Sequence, residues 1–251
     1  MAMRAGTTAI PDKTGKVKLA FEEPTWYLQR RRYQIQLRAE VVKRFVADRP
    51  CTRILDIGCG DGSISIPLLR PENDLTLLDL STTMLSIAGR NVPAQYQKNV
   101  HTLNEDFLAA QLAEGSFDLI LCIGVLAHAE SPADVVAKIA KLLSPGGCVI
   151  GECTDSRHFT GRLLRLFLRC WGLFRPRMYP LNALSADQVV QMFSSQHLAL
   201  ARSYRYALPP PGSNRFLSQA QLYRFLTLVF GAPGKNRNPW LGNEYIFLFK
   251  G

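Results

Sequence analysis

Short apolar runs alternate with helical segments from residue 53 onward. Most positions within each run are apolar, which is typical of strands buried on both faces of a sheet. Helical segments separate the first five runs and favour parallel pairing through right-handed crossovers. The pattern predicts an α/β fold built on a doubly wound, seven-stranded, mostly parallel sheet with one late antiparallel hairpin. The predicted strands span residues 53–58, 75–80, 100–106, 117–123, 148–153, 198–206 and 245–250.

A single domain over residues 23–251 accounts for these elements. Residues 1–22 precede it, and their Gly, Thr, Pro and Lys content predicts a flexible leader. An N-terminal helix is predicted over residues 25–48, because apolar residues recur there at helical spacing between two prolines. Residues 156–184 and 209–242 lie outside the minimal strand–helix pattern. Both follow strand ends, where open α/β sheets bind ligands, so we expect helical cap insertions there.

The composition is that of an ordinary globular protein, with 47% hydrophobic and 20% charged residues among 251. No apolar run has the length of a transmembrane helix, and the first residues lack the apolar core of a secretion signal, so we expect a cytoplasmic protein. The six cysteines form no C-x-x-C pair and no zinc spacing with histidine, which favours buried free thiols and no metal. The net charge of +10 favours anionic partners.

The first predicted strand runs directly into three glycines, in the segment RILDIGCGDG at residues 53–62. Gly58, Gly60 and Gly62 allow a sharp turn and let the backbone lie against a ligand. A tight turn without a ligand is the alternative. The dinucleotide pattern G-x-G-x-x-G is not met, because Ser63 occupies the position of its third glycine. This argues against a nicotinamide or flavin dinucleotide.

The segment DIGCGDG resembles motif I of the class I S-adenosylmethionine-dependent methyltransferases, and four further segments resemble that family in the same order. LTLLDL ends in an acidic residue, NEDF closes the third strand, EGSFDLILCIGVLAHAESP contains the fourth, and LLSPGGCVI leads into the fifth. These matches cover residues 53–152. The resemblance implies the Rossmann-like methyltransferase fold, the small-molecule branch of the family and S-adenosyl-L-methionine as cofactor.

The resemblance also implies roles for the matched residues. Asp79 would accept hydrogen bonds from both ribose hydroxyls; a role as helix cap is less favoured, since Ser81 can cap the next helix itself. Asp106 would bind the adenine amino group, and Phe107 would pack on the ring or else lie in the core. Asp56 would orient the glycine loop and reach the cofactor ammonium through water. The implied cofactor-binding residues are Asp56, Gly58, Cys59, Gly60, Asp79, Leu80, Met84, Asp106, Phe107, Cys122 and Ile123, with Arg31 or Arg32 paired to the cofactor carboxylate.

A methyl group on a sulfonium is already activated, so the main task of the protein is to align an acceptor behind it, and a general base is optional. His128, just after the fourth strand, is the first candidate base, with packing as its alternative role. His158, after the fifth strand, is the second candidate. Glu152 would contact the acceptor or be structural.

The insertion at residues 156–184 combines a basic stripe with apolar surface. Arg162, Arg165 and Arg169 recur there at helical steps among leucines and phenylalanines. This pattern fits a cap helix over an apolar acceptor pocket, or a helix that lies in a membrane interface and admits a lipid-like acceptor. Nucleic acid is disfavoured, because the basic residues are scattered and no N/D-P-P-Y/F signature follows the fourth strand.

We therefore expect methyl transfer to a small, largely apolar acceptor. O-methylation of a hydroxyl in specialised-metabolite or lipid- and quinone-type biosynthesis is the first expectation. C-methylation of an isoprenoid or polyketide-like acceptor is the second. The third expectation is a non-enzymatic role, in which the chain is a partner protein that binds the cofactor without catalysis. No feature of the sequence indicates an oligomeric state.

Overall fold

The computed structural model describes residues 13–21, 31–170, 181–210 and 212–251. Its centre is a seven-stranded sheet in the order β3-β2-β1-β4-β5-β7-β6. The first five strands are parallel, and β7 pairs antiparallel with both β5 and β6. The strands are β1 (Arg53–Ile57), β2 (Asp74–Leu78), β3 (Val100–Leu103), β4 (Phe117–Cys122), β5 (Leu143–Thr154), β6 (Ala199–Tyr206) and β7 (Glu244–Lys250).

Helices cover both faces of this sheet, because the strands β1, β2, β4, β5 and β7 carry buried apolar side chains on both sides. One core joins the sheet to α2, α3 and α7, and the second joins it to α4 and α6. α2 packs along α7, and α4 packs along α6. The α-helices are α1 (Lys13–Phe21), α2 (Arg32–Phe45), α3 (Thr82–Asn91), α4 (Pro132–Leu142), α5 (Phe159–Cys170), α6 (Ala186–Ser194) and α7 (Gln219–Phe230).

The predicted fold class is confirmed, and all seven predicted strands are present within a few residues of the expected positions. β5 begins earlier than expected, because Leu143 pairs with Phe117 before the Pro-Gly-Gly turn. The segment after β1 was predicted to be helical, but a single 3₁₀ turn at Ile66–Leu68 is all that forms. Pro67 explains the difference, since its ring and its missing N–H disfavour the interior of an α-helix.

The N-terminal predictions need correction. Within the predicted leader 1–22, residues Lys13–Phe21 form α1, and Lys13 Nζ donates to the carbonyl of Ala129 at 2.8 Å. The helix predicted over 25–48 is α2, which begins at Arg32 and ends at Phe45. The beginning of that prediction lies outside the described residues.

The two predicted insertions have different structures. The first contains α5, whose side chains at Leu163 and Leu166 are exposed, and residues 171–180 lie outside the described part. The second contains α7, which is part of the sheet-covering layer rather than a separate cap, because Leu222, Leu226 and Phe230 are buried against the core. Within the described part of the chain, no helix has the length and hydropathy needed to span a bilayer.

Candidate functional site

The glycine loop turns sharply at the carboxyl end of β1. Gly58, Gly60 and Gly62 all have positive φ, at 63°, 55° and 72°, a region that L side chains rarely adopt. A Cβ on Gly58 would lie 2.7 Å from Val125 Cγ2, and one on Gly62 would collide with Ile66. A Cβ on Gly60 would meet nothing within 4 Å. Two of the three glycines therefore serve internal packing, and Gly60 is the one whose backbone faces open space.

Asp79 fastens this loop to the end of β2. Its carboxylate accepts the backbone N–H of Gly60 at 2.8 Å and that of Ser81 at 2.8 Å. Ser81 in turn caps α3 by accepting from Met84 N at 3.1 Å, as the sequence predicted. Asn104, which sequence reasoning missed, donates to the carbonyls of Asp79 and Leu80 and so joins the ends of β2 and β3. Asp79 thus lies at the predicted position, next to the backbone of Gly60.

Asp56 is a buried carboxylate directly below the loop, with 3% of its surface exposed. Among the described residues, no donor reaches its Oδ2 atom. Burial raises the pKa of Asp56 to about 7; the Ser65 hydroxyl opposes this rise, and the negative charges of Asp79 and Asp61 add to it. An unsatisfied buried oxygen is costly, so this atom is suited to a cationic or N–H partner supplied from outside the protein.

Asp106 and Phe107 follow β3 on the same edge of the sheet. Asp106 is partly exposed, and its Oδ1 accepts from Leu108 N at 2.8 Å. Phe107 is 6% exposed and packs in the core, with the Lys138 ammonium 5.0 Å from its ring centroid. This placement favours the second of the two predicted roles for Phe107, a core side chain beside a turn carboxylate.

The remaining predicted cofactor residues divide by exposure. Cys59, Met84 and Cys122 have side chains that are 7%, 2% and 0% exposed, so only their backbone is available to a ligand. Burial raises the pKa of Cys122 to about 12, which keeps this thiol neutral. Leu80 and Ile123 are partly exposed.

The guanidinium of Arg31 donates to Gln34 Oε1 at 3.0 Å, and its pairing with the cofactor carboxylate stays a prediction. Arg32, the alternative, lines a groove of about 780 Å³ together with Asp61, Gly62 and Ser63 of the glycine loop. α3 and the start of α7 form the other walls, and the shortness of the helix after β1 leaves this space open. Of the two arginines, Arg32 is the one that lines this groove.

His128 lies on a loop after β4 that several distant residues hold in place. Val125 of this loop packs on Gly58, so the segment lies against the glycine loop. Asn182 donates to the carbonyls of Leu126 and Ala129 and accepts from Lys13 of α1. His128 itself is partly exposed. The structure thus places the segment that carries this candidate base against the predicted cofactor loop. Lys13 and Asn182 help to hold the segment, and neither carries a local sequence signal.

Glu152 is a buried ion-pair partner of α2 and has 2% of its surface exposed. Arg38 contacts both carboxylate oxygens, at 3.0 Å through Nε and 2.5 Å through Nη2. Tyr206 donates its hydroxyl to the same carboxylate at 2.7 Å and accepts from Gln34 at 3.0 Å. Glu152 therefore holds α2 on the sheet, which is the structural one of its two predicted roles.

A second buried carboxylate, Glu244 at the start of β7, lies next to this network. Thr154 donates to it at 2.9 Å. Burial and the negative charge of Glu152 raise the pKa of Glu244 to about 7, while the positive charge of Arg38 opposes the rise. Sequence reasoning missed this residue, because its partners come from β5 and α2 rather than from its neighbours in the chain.

His158 belongs to a different cluster, at the start of α5. Its Nδ1 lies 2.8 Å from the Thr160 hydroxyl, and its ring stacks on Phe159 at 4.9 Å. Burial and the nearby Arg205 guanidinium lower the pKa of His158, against the opposing charge of Asp155. A proton-accepting role for His158 stays a prediction, and its contacts tie it to α5 and not to the glycine loop.

The comparisons with known proteins agree with this geometry. Residues 55–149, which contain the glycine loop, Asp79 and His128, match the family model of a methyltransferase domain. Residues 55–149 thus have the sequence of a methyltransferase domain. The predicted family is thereby confirmed, and so is the fold. Within the domain the match ends in β5, so α5 and the β6–β7 pair lie beyond it.

One curated relative of the methyltransferase is named Ubiquinone biosynthesis O-methyltransferase, from Hydrogenovibrio crunogenus. It is 34% identical over 133 residues, which are 52% of this chain and 54% of the relative. The chain thus matches about half the length of such relatives.

Two solved structures share the fold over nearly the whole chain. One is a possible histamine N-methyltransferase from Thermotoga maritima, with TM-score 0.67, 16% identity and coverage of 95% of this chain and 99% of that one. The other is magnesium protoporphyrin IX methyltransferase from Synechocystis PCC 6803 with bound SAH, with TM-score 0.63, 18% identity and the same coverage. At such identities the likeness concerns the architecture.

Proposed function

We propose that the methyltransferase domain binds S-adenosyl-L-methionine and transfers its methyl group to a hydroxyl of a small, largely apolar acceptor. The observation that carries the proposal is the loop between β1 and β2. There Gly60 exposes bare backbone, Asp79 stands at the rim, and Asp56 offers an unpartnered buried oxygen below. This arrangement suits a ligand that combines hydroxyl groups with a cationic end.

The residues present fit this cofactor. Asp79 and the backbone of Gly58 to Gly60 would hold its ribose, and Asp106 would hold its base. Asp56 would face its cationic end, because the unsatisfied Oδ2 needs a donor and no described side chain supplies one. When bound, the cofactor supplies a methyl group that is already activated by its sulfonium.

The task left to the chain is to orient an acceptor and to remove one proton. His128 is suited to accept the hydroxyl proton, since an imidazole titrates near neutral pH. Its loop is held by Val125 against Gly58 and by Asn182, so the backbone that carries His128 has a defined position relative to the glycine loop. Holding a catalytic group and a bound reactant in a defined geometry lowers the entropic part of the activation barrier.

The name of the curated relatives favours a quinone-type hydroxyl as the acceptor group. The exposed apolar side chains near α5 support an apolar acceptor as well. Phe159, Leu163, Leu166 and Trp240 are 46%, 61%, 59% and 63% exposed, and the rings of Phe159 and Trp240 stack at 6.4 Å.

Turnover of methyl-labelled cofactor against a panel of hydroxylated quinone precursors and phenols tests this function. We expect label in the oxygen-methylated product. His128→Ala should lower kcat by about 100-fold or more while leaving the affinity for S-adenosylhomocysteine unchanged. His101→Ala, an exposed histidine on β3, is the matched control. An unchanged kcat in His128→Ala would show that His128 is not the base and has a packing role. Label on a carbon atom of the product would establish C-methylation instead of O-methylation.

We further propose that α5 rests on an anionic membrane and admits a lipid-like acceptor from it. Leu163 and Leu166 are exposed on α5, and Arg162 on the same helix is exposed as well. Apolar residues bordered by arginine on one helix are typical of interfacial helices. The charge of +10 adds general attraction to anionic lipid.

Flotation with phosphatidylglycerol–phosphatidylcholine vesicles tests membrane contact. We expect the wild type to float with the vesicles and Leu163→Ser/Leu166→Ser to remain in the dense fraction. Leu200→Ser, an exposed leucine on β6, should behave as wild type. If the double variant floats normally but shows a higher KM for the acceptor, α5 is a cap over the acceptor pocket.

A further inference from the structure

Two thiols meet at the amino-terminal edge of the sheet, at the opposite end from the glycine loop. Cys51 precedes β1, and Cys148 lies in β5, with β4 between the two strands. Asp118 of β4 contacts both the segment before β1 and the start of β5. Its carboxylate accepts hydrogen bonds from Thr52 Oγ1 at 2.8 Å and from Ser144 Oγ at 2.9 Å. These contacts draw the segment before β1 across the start of β4 toward β5.

The two thiols line one open cavity of about 150 Å³, together with Arg49 and the turn at Gly146, and each shifts the pKa of the other. Cys51 is partly exposed, and Cys148 is 1% exposed. Cys51 and the nearby Arg49 lower the pKa of Cys148, against its burial, whereas Cys148 and burial raise the pKa of Cys51. Cys148 is therefore the more acidic thiol of the two.

We propose that Cys51 and Cys148 are a redox-sensitive pair that forms a reversible disulfide on exposure to hydrogen peroxide. The Cys148 thiolate attacks one peroxide oxygen, which leaves hydroxide and a sulfenic acid. The Cys51 sulfur then attacks the sulfenic sulfur, its proton leaves with the hydroxyl as water, and the S–S bond forms. Two thiols are oxidised and one peroxide is reduced to two waters. Disulfides of this kind in reducing compartments are usually transient and redox-sensing.

The pair is independent of the proposed function, since no residue of the glycine loop takes part in it. A link between Cys51 and Cys148 would tie the entrance of β1 to β5 across β4. Cys170 is exposed and would form disulfides between molecules, so it is replaced by serine in every protein tested.

The test is peroxide treatment of folded Cys170→Ser protein, followed by thiol titration and peptide mapping. We expect each chain to lose two titratable thiols and its mass to decrease by that of two hydrogen atoms. Peptide mapping should recover a disulfide-linked pair of peptides that contain Cys51 and Cys148. Dithiothreitol should restore both thiols. Cys51→Ser and Cys148→Ser should each abolish the linkage, whereas Cys122→Ser, which removes a buried thiol in the opposite core, should retain it.

The proposal is overturned if peroxide leaves Cys51 and Cys148 unlinked in the Cys170→Ser protein. Formation of separate sulfinic or sulfonic acids on the two residues would overturn it equally. The peptide map of the Cys170→Ser protein decides the matter even if a further serine variant does not fold.

Discussion

At the scale of single residues, the most informative side chain is Asp56, a carboxylate held where its charged form is disfavoured. Its folded pKa of about 7 lies above the ordinary value of 3.8. The folded state therefore binds a proton more tightly than the unfolded state does. This contribution to stability is complete below the unfolded pKa and is lost as pH rises through about 7.

Asp56→Asn should therefore flatten the pH dependence of stability. Between pH 5 and pH 8 we expect the wild type to lose about 2–3 kcal/mol more unfolding free energy than the variant. Urea unfolding at several pH values measures this difference. Glu244→Gln serves as a comparison, since the pKa of Glu244 is also raised to about 7. Equal pH slopes in wild type and Asp56→Asn would contradict the buried state of this carboxylate.

The same residues show how far a sequence can predict a site. Gly60, Asp56 and Asp79 lie at or next to strand ends, and the roles predicted for them follow from local sequence motifs. Arg38 and Asn182 carry no such signal, because their partners Glu152 and Ala129 lie 114 and 53 residues away along the chain. Gly58 and Gly62 were predicted to let the backbone lie against a ligand, and contact with the side chains of Val125 and Ile66 gives each of them a packing role as well.

At the scale of elements, α2 is tied to the sheet by a buried polar network rather than by apolar packing alone. Arg38 of α2 pairs with Glu152 of β5, and Tyr206 of β6 donates to the same carboxylate. Removal of one member of a buried pair leaves the other charge unsatisfied, which costs more than removal of both.

Arg38→Met should lower the unfolding free energy by about 3–5 kcal/mol. Adding Glu152→Leu to Arg38→Met should recover a substantial part of this loss, because no uncompensated carboxylate then remains. Denaturant unfolding of the wild type, Arg38→Met, Glu152→Leu and the double variant gives the unfolding free energies for a double-mutant cycle. A double variant whose loss equals the sum of the two single losses would contradict the pairing.

The strand positions could be predicted, because a buried strand is an apolar run in the sequence regardless of which strands it pairs with. The segment after β1 was wrongly predicted to be an α-helix, because Ile64 and Ile66 continue a helical pattern. Pro67 prevents an α-helix there, since its ring and its missing N–H disfavour a helix interior, and only a 3₁₀ turn forms. α1 was missed since KTGKVKLAF has little amphipathic character, and its Lys13 contacts residues from two distant segments.

At the scale of the whole molecule, the sheet places the glycine loop and the thiol pair at opposite ends. The antiparallel pairing near the end of the chain was predicted, but the insertion of β7 between β5 and β6 was not. That order depends on tertiary packing: Phe247 and Phe249 bury against Phe193 of α6, at ring separations of 5.4 Å and 4.6 Å. The candidate site follows from the fold, because every strand that enters it ends at the same edge.

The central claim is that the β1–β2 edge binds the cofactor, and calorimetric titration with S-adenosylhomocysteine tests it most directly. The wild type should bind one molecule per chain. Asp79→Asn should bind S-adenosylhomocysteine at least about tenfold more weakly, because a charge-assisted acceptor at the rim is lost. Asp74→Asn, at the exposed start of the same strand, should bind as wild type. Absence of heat with the wild type, or equal affinity of wild type and Asp79→Asn, would contradict the claim.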